Sequence, residues 1–562
     1  MPAEPRGVQP ESDLQWLDLA DFSAGIYDYT SVSTQAPNVP GPKGAADPNF
    51  THSCIALPGG GLGPLPAVAQ EYTWTPTAYP TNYIVGLLVH DELSNGDTEV
   101  FVIQEADNGT THIWQPFSYI AETTTFTAAG LGTSEPSAAG IFGSPYPQLT
   151  RAAATDPTTT PGNPVIVYPN GGPSSNTNTA TGQLWMYPNP ATPTSYTPLA
   201  LITGPPYTSV SGQVLVHQSR VVVLAGITYM YPAGGGFDTN ENINFTDPPN
   251  STDYGNQMTV LAAEEPYGYG CGASISAGEL MLIKKRGGGI VVTGDIFAPN
   301  VTFLPGVQPT GGIYGSAHSG LPGMIYCSFD NGAWSWNGGS TSQKISSQLD
   351  DSFFLPSVFN DMESNNYGFY CRCIGDKVYF SMNWLYDTRT NSWWRYYPDA
   401  TQGGADLFWV QEVDGQQIYA APLQFTSSDL TFLYRFDQTV PSETWQWQGL
   451  PIRLTTNRFV ELREVVVRAS TNSGNTAATV KVSIYQGATE VGSVTTPATI
   501  LAAPTMIRMP IGSANAAGNV YTGEDLTIRI DALGNSAAAP NVHSVSLGYK
   551  QIAHAATVGV SS

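Results

Sequence analysis

DKVYFSMNWLYDTRTNSWWRYY, Asp376 to Tyr397, contains a strand-like run (Lys377 to Met382), a polar turn-forming stretch and a second run ending on aromatics. The same plan recurs along the chain at intervals of roughly 40 residues, the spacing of propeller blades. Working outward, similar units run from Thr81 to Phe117, Pro164 to Pro198, Pro206 to Asn250, Gly272 to Pro305, Gly312 to Ile345, Tyr367 to Tyr397 and Phe408 to Phe436. Short β-type runs such as Tyr83 to Val89, Glu99 to Gln104, Arg220 to Leu224 and Glu279 to Lys284 fill them. No segment sustains the 3, 4, 7 apolar spacing of an amphipathic helix, and Gly, Pro or Asn interrupts nearly every ten residues.

The expected fold is therefore all-β: a β-propeller of about six to eight blades, seven by this count, whose closure can borrow a strand from the N-terminal segment. After Gln438-Thr-Val-Pro441 the aromatics thin out and longer alternating strands follow, at Arg463 to Ala469, Thr479 to Tyr485, Leu526 to Ile530 and Val542 to Tyr549. These predict a C-terminal β-sandwich, with the last strand closing one sheet. The domain reading is an extended N-terminal arm with a Pro/Gly-rich lead-in over residues 1–66, a propeller over 67–440 and a β-sandwich over 441–562. A set of stacked sandwiches is the alternative that strand spacing alone also allows.

Composition narrows the function. The 562 residues carry 21 Lys and Arg against 45 Asp and Glu, a net charge of −24, which argues against a non-specific nucleic-acid binder because phosphate neutralisation needs surplus cations. Only 12% of residues are charged, so the surface is polar mainly through Ser, Thr, Asn and Gln, while 11% aromatics supply the apolar area a fold needs. The five Cys include one close pair, Cys371 and Cys373, expected on opposite faces of one strand; neither a disulfide framework nor a zinc ribbon follows. The opening residues lack the apolar core of a secretory signal and no apolar run reaches about 18 residues, so the expectation is a soluble protein made in a cytoplasm, with no membrane span.

Candidate chemistry is sparse. Gly59 to Gly63 has the look of a phosphate cradle, but Pro64 and Pro66 stand where helix N–H groups would be needed, so a turn-rich loop is the expectation. Asp238, Asn240, Asn242 and Asp247 crowd oxygen ligands into one stretch without the spacing of an EF-hand, and no metal or cofactor is assigned. Glu264 and Glu265, followed by Tyr267 and Tyr269, form the most site-like acidic and aromatic patch, and Lys284-Lys285-Arg286 is the only basic run. Both are read as interface or lumen candidates, with a solvated loop and a solvated hairpin tip as the plainer readings. Ser328, Asp330, Gly332, Trp334 and Trp336 resemble the Asp box of sialidase-type propellers with the aromatic one position off, a pattern that fixes a hairpin turn and does no catalysis. No catalytic residue is assigned.

The order of these units resembles the tail nozzle proteins (tail tubular protein B type) of short-tailed bacteriophages. The segments that carry the likeness are Asp21-Phe-Ser-Ala-Gly25, the Val214 to Gly226 strand pair around Arg220, Gly287 to Asp295, Asp330 to Ser346, and Val378 to Tyr396, similar to the family's "y-y-l-s-x-x-x-v-y-D-x-x-x-x-x-W". The resemblance implies a non-enzymatic virion tail part made in the host cytoplasm: copies in a ring, usually six-fold, with portal or adaptor and fibre or spike proteins as partners. Genomic DNA would pass through without specific binding, and an acidic wall that repels a polyanion suits such a conduit. Two other function classes compete. A receptor- or glycan-binding virion fibre or decoration protein should expose Trp and Tyr on the last sandwich, whose Leu450 to Ile552 stretch is poor in Trp. A glycan-cleaving propeller enzyme should show a signal peptide and a carboxylate pair on facing loops.

Overall fold

A computed structural model of the chain describes residues 14–23, 51–74, 81–90, 98–107, 112–128, 150–153, 164–170, 183–187, 197–199, 214–217, 220–225, 229–232, 259–260, 274–277, 280–285, 288–295, 300–304, 317–319, 324–329, 332–347, 349, 371–381, 383–396, 407–413, 417–422, 424–426, 431–449, 451–455, 459–471, 478–497, 500–511, 520–523, 526–534 and 538–552. Among them every regular element is a β-strand.

Blade six shows why the sequence folds as it does. Cys371–Ile374, Lys377–Phe380, Trp384–Asp387 and Ser392–Arg395 pair in chain order as an antiparallel sheet. Each connection turns on a residue with positive φ: Gly375 at 57°, Asn383 at 65° and Asn391 at 52°. Gly and Asn tolerate that left-handed conformation better than other residues, so the tight hairpins sit where the sequence puts them. Cys371 and Cys373 are both buried. The expectation of opposite faces fails because side chains alternate with a period of two, so residues i and i+2 share a face.

Among the described residues seven such sheets follow one another. The first is built on Thr81–His90, Glu99–Asp107, His112–Ile120 and Thr125–Ala128; the second on Thr150–Ala153, Pro164–Asn170, Gln183–Tyr187 and Thr197–Leu199. The third, fourth and fifth span Val214–His217 to Thr259–Val260, Ser274–Ala277 to Asn300–Leu304, and Ala317–Ser319 to Gln343–Lys344. The first strands of successive sheets touch from the second sheet round to the seventh and on to the first, the arrangement of blades in a β-propeller. In the seventh, Leu407–Val413, Gln417–Pro422 and Thr431–Pro441 are completed by Pro66–Trp74, a strand from the other end of the propeller's sequence. In return Gln424–Thr426, between the second and third of those strands, pairs with Thr81–His90 of blade one. The ring is thus closed by two exchanges that hold its first and last blades together.

Two more sheets are formed among the described residues. One orders Thr444–Gln448, Leu526–Leu533, Thr479–Gln486 and Thr489–Thr495. The other has seven strands centred on Pro540–Ile552 and Phe459–Thr471, flanked on the Phe459–Thr471 side by Thr505–Pro510 and Val520–Thr522. Its remaining strands come from the opening 66 residues: Gln15–Leu19 and Leu62–Pro64 pair with Pro540–Ile552, and Cys54–Ala56 pairs with Leu62–Pro64. Pro540–Ile552, read from the sequence as a closing strand, is instead flanked on both sides. The Trp445 indole donates to the Pro540 carbonyl at 3.0 Å and the Tyr521 hydroxyl to the Val491 carbonyl at 2.6 Å, linking the two sheets. Val465, Val467, Val480, Ile484, Ile530 and Leu547 belong to one continuous buried core that includes the last blades.

Candidate functional site

A connected set of polar groups lies where blade six meets the terminal sheets. In the hairpin joining its third and fourth strands, Asp387, with no exposed surface, accepts from the Arg389 backbone N–H at 2.9 Å, Nε at 3.0 Å and a terminal guanidinium N–H at 2.7 Å. Arg389 also meets Asp376 at 2.8 Å, and the hydrogen bond to Asp387 raises its pKa further. Thr388 N–H and Oγ1 both donate to the Asp376 carbonyl, at 3.0 and 2.8 Å, and Tyr386 OH donates to Asn391 at 3.0 Å. Each carboxylate here is engaged in holding a turn.

The outer strand of this blade, Ser392–Arg395, is buried along its whole length. An outer blade strand ordinarily presents unpaired backbone groups. Here the chain's own opening segment covers it: Ser53 N–H donates to the Arg395 carbonyl at 2.8 Å, and His52 exchanges backbone hydrogen bonds with Gln446 at 2.9 and 3.1 Å. The Arg395 side chain is only 2% exposed, with its guanidinium carbon 5.1 Å from the Trp384 ring centroid. A desolvated cation over an indole face is stabilised by the ring quadrupole. Burial, and then the charges of Arg395 and Arg529, push the His52 pKa down to about 4, so that imidazole is neutral at physiological pH.

A cleft of about 470 Å³ opens beside this junction, lined by Asp21, Ser23, Ala56 to Gly60, Arg389 and Thr390. Gly59 and Gly60, the start of the Gly59 to Gly63 run, form part of its wall. Gly59 and Gly60 have φ of +96° and +91°, and a Cβ on Gly61 would stand 2.8 Å from the Val542 carbonyl oxygen. The glycines therefore permit a tight turn to press against the Pro540–Ile552 strand. Asp21 accepts the Ser23 N–H at 2.9 Å, and hydrogen bonding from the Ser23 side chain first and its backbone second lowers the Asp21 pKa. The cleft's charged groups already serve its walls.

Apart from the Gly59 to Gly63 run, the sequence candidates that the structure describes lie elsewhere. Lys284 and Lys285 end the strand Leu280–Lys285 opposite Gly289 and Gly288, in the hairpin joining second and third strands of blade four; Arg286 is outside the described residues. Strand direction alternates within a blade, so that hairpin lies on the opposite rim from Arg389. Glu264 and Glu265, in the connection between Thr259–Val260 and Ser274–Ala277, are outside the described residues, as are Asp238, Asn240, Asn242 and Asp247. Ser328 pairs with Ala333 and Phe329 with Gly332, a hairpin whose two tip residues, Asp330 and Asn331, are not described. Trp334 lies opposite Cys327, and buried Trp336 donates its indole N–H to the Gly339 carbonyl at 2.6 Å. None of these groups is brought together with another into one site among the described residues. Asp387 is one of the positions that match the family pattern, whereas Arg395, although in the same segment, and His52 match none, because what covers them comes from residues far along the chain.

No known protein family and no curated protein matches the chain. Among solved structures it is similar to an exo-β-1,3-galactanase from Phanerochaete chrysosporium, with 11% identity, 86% of this chain and 100% of that chain covered and a TM-score of 0.24. It is also similar to Sqt1 from Chaetomium thermophilum, at 7% identity over 66% of this chain and 100% of that chain, TM-score 0.36. An α-L-arabinanase from Penicillium chrysogenum is similar at 11% identity over 66% of this chain and 99% of that one, TM-score 0.32. The order of the seven blade sheets among the described residues makes this an all-β protein built on a β-propeller.

Proposed function

We propose that this chain is a structural, non-enzymatic component of a bacteriophage tail, a nozzle-like ring subunit that forms part of a DNA conduit and a docking site for other tail proteins. The observation that carries the reading is the behaviour of Val378 to Tyr396, the segment most like the nozzle family. Its Asp387 organises a turn and its Trp393 is fully buried, so the motif does scaffold work. The net charge of −24 agrees, since a strongly acidic wall does not retain DNA. In this reading copies form a ring in the virion tail, portal or adaptor and fibre or spike proteins are the partners, and DNA passes without specific contacts. The two terminal sheets act as a β-sandwich bolted to the rim of blade six, a reading supported by the Trp445 and Tyr521 hydrogen bonds between them.

Electron microscopy of the purified protein and of phage particles tests this. The expected result is a ring of several propellers around a channel about as wide as a DNA duplex, roughly 20 Å. Isolated monomers at high concentration, with turnover in a panel of glycan hydrolysis assays, overturn it in favour of a propeller enzyme.

A further inference from the structure

The solvent face of the seven-stranded sheet differs from the rest of the molecule. Register sets its rows: Trp16, Gly548, Glu464 and Pro510 lie across the strands in one line, Asp18, Ser546, Val466 and Arg508 in the next, and Ser544, Arg468 and Met506 in a third. Leu17 and Ile507, which alternate with these positions, pack against the core, so the rows point outward. Met506 is 71% exposed and Trp16 is 41% exposed, two of the four large hydrophobic side chains exposed among the described residues. Arg508 donates to both oxygens of Glu464 and sits 6.0 Å from the Trp16 ring centroid. The Arg508 side chain is 62% exposed and Glu464 only 14%, so the cation stands outermost and its carboxylate lies beneath. Arg463 and Glu461 repeat the arrangement, and Arg468 and Lys550 are exposed nearby.

Charge is partitioned to match. Residues 441–562 contain eight Lys and Arg and seven Asp and Glu, a net of +1, which leaves −25 of the chain's −24 on residues 1–440. We infer that this Trp16–Met506–Arg508 face is the surface by which one copy of the chain grips the acidic 1–440 region of the next copy. The inference rests on the ring reading above and locates its contact. On this face Arg463 and Arg508 stand over Glu461 and Glu464, and Arg468 and Lys550 outnumber the exposed Asp18, so its outward balance is one positive charge, which the acidic region of a neighbour complements and a second copy of the same face does not. A contact between two different patches is the kind that closes into a ring. An exposed Trp and Met beside a guanidinium held in place by a carboxylate supply the residue types that anchor interfaces.

The test uses the full chain, in sedimentation velocity and negative-stain imaging of wild type, Met506→Asp and Arg508→Glu. Met506 is so exposed that its replacement leaves folding intact, which an unchanged melting midpoint confirms. Expected is a wild-type ring, a shift of at least about tenfold upward in the concentration needed for assembly in either variant, and weaker wild-type assembly at high salt. Rings that form equally well in both variants overturn this inference and leave the ring reading intact. A wild type that is monomeric at every concentration, with no ring in particles, overturns the ring reading and this contact with it. Efficient disulfide formation between two Met506→Cys copies shows a face-to-face contact and overturns the proposed pairing.

Discussion

The backbone N–H of Ser53 donates to the carbonyl of Arg395 at 2.8 Å, joining the opening segment of the chain to the outer strand of blade six. Ser53 holds φ at +56°, a left-handed conformation that a non-glycine residue keeps only where its surroundings impose it. That one residue therefore carries both a donor and a backbone shape that the junction requires.

Ser53→Pro removes the donor and demands φ near −65°, so it should destabilise the junction by about 3 kcal/mol or more. Ser53→Gly, which accepts positive φ at no steric cost, should stay within about 1 kcal/mol of wild type. Limited proteolysis reads the difference: residues 51–66 become a cleavage site in the proline variant and stay protected in the glycine variant. Equal protection in both would show that the bond does not hold the segment down.

His52 makes the same junction sensitive to acid. Its pKa of about 4 in the fold lies below the ordinary 6.5, so between those values the unfolded chain binds a proton that the folded chain does not. The contribution is complete above about pH 6.5, shrinks as the pH falls toward about 4 and levels off below that. His217 and His543 are shifted downward too and add to the same trend. Urea midpoints at about pH 7.5 and about pH 5 should differ less in His52→Gln than in wild type. An unchanged difference would assign the acid sensitivity to other groups.

Asp387→Ala takes the acceptor away from three Arg389 donors at a position with no solvent access. Arg389 keeps Asp376 as a partner, so the expected loss is about 1–3 kcal/mol rather than that of a stranded buried charge. Asp387→Asn retains one acceptor oxygen and should recover part of it. Thermal unfolding followed by near-UV circular dichroism, which reports the buried Trp384–Trp393 ring pair of this blade, gives the order wild type, Asn, Ala.

Gly61→Ala places a methyl group against the Val542 carbonyl oxygen, and a backbone atom cannot rotate away as a side-chain end can. Overpacking of this kind costs about 1–3 kcal/mol. Gly59→Ala meets nothing within 4 Å and incurs only the strain of its positive φ. A lower melting midpoint for Gly61→Ala than for Gly59→Ala is expected; the reverse order would mean that the turn does not press on the Pro540–Ile552 strand.

Much of the propeller was legible because its information is local. Hairpins at Gly375 and Asn391 need residues that tolerate positive φ, and Lys377–Phe380 needs β-branched and aromatic side chains, so both leave marks a few residues wide. Thr150–Ala153 left none, being a short strand without an apolar alternation, and it was missed at the start of blade two. The basic and acidic candidates stand out by composition, which says nothing of neighbours, whereas Arg395 and His52 matter only through theirs.

By itself, then, the sequence determined an all-β chain with seven repeating units and an acidic balance, since strand period, turn chemistry and charge are properties of neighbouring residues. Tertiary structure alone decided how the chain closes: Pro66–Trp74 completing blade seven, Gln15–Leu19 beside Pro540–Ile552, and Gln551 donating to Gln15 at 2.8 Å across a separation of 536 residues. A strand's alternation says that it will pair but not with which partner. That choice depends on loop-closure entropy and on which edge the rest of the fold leaves open, and neither is written in any short stretch of residues.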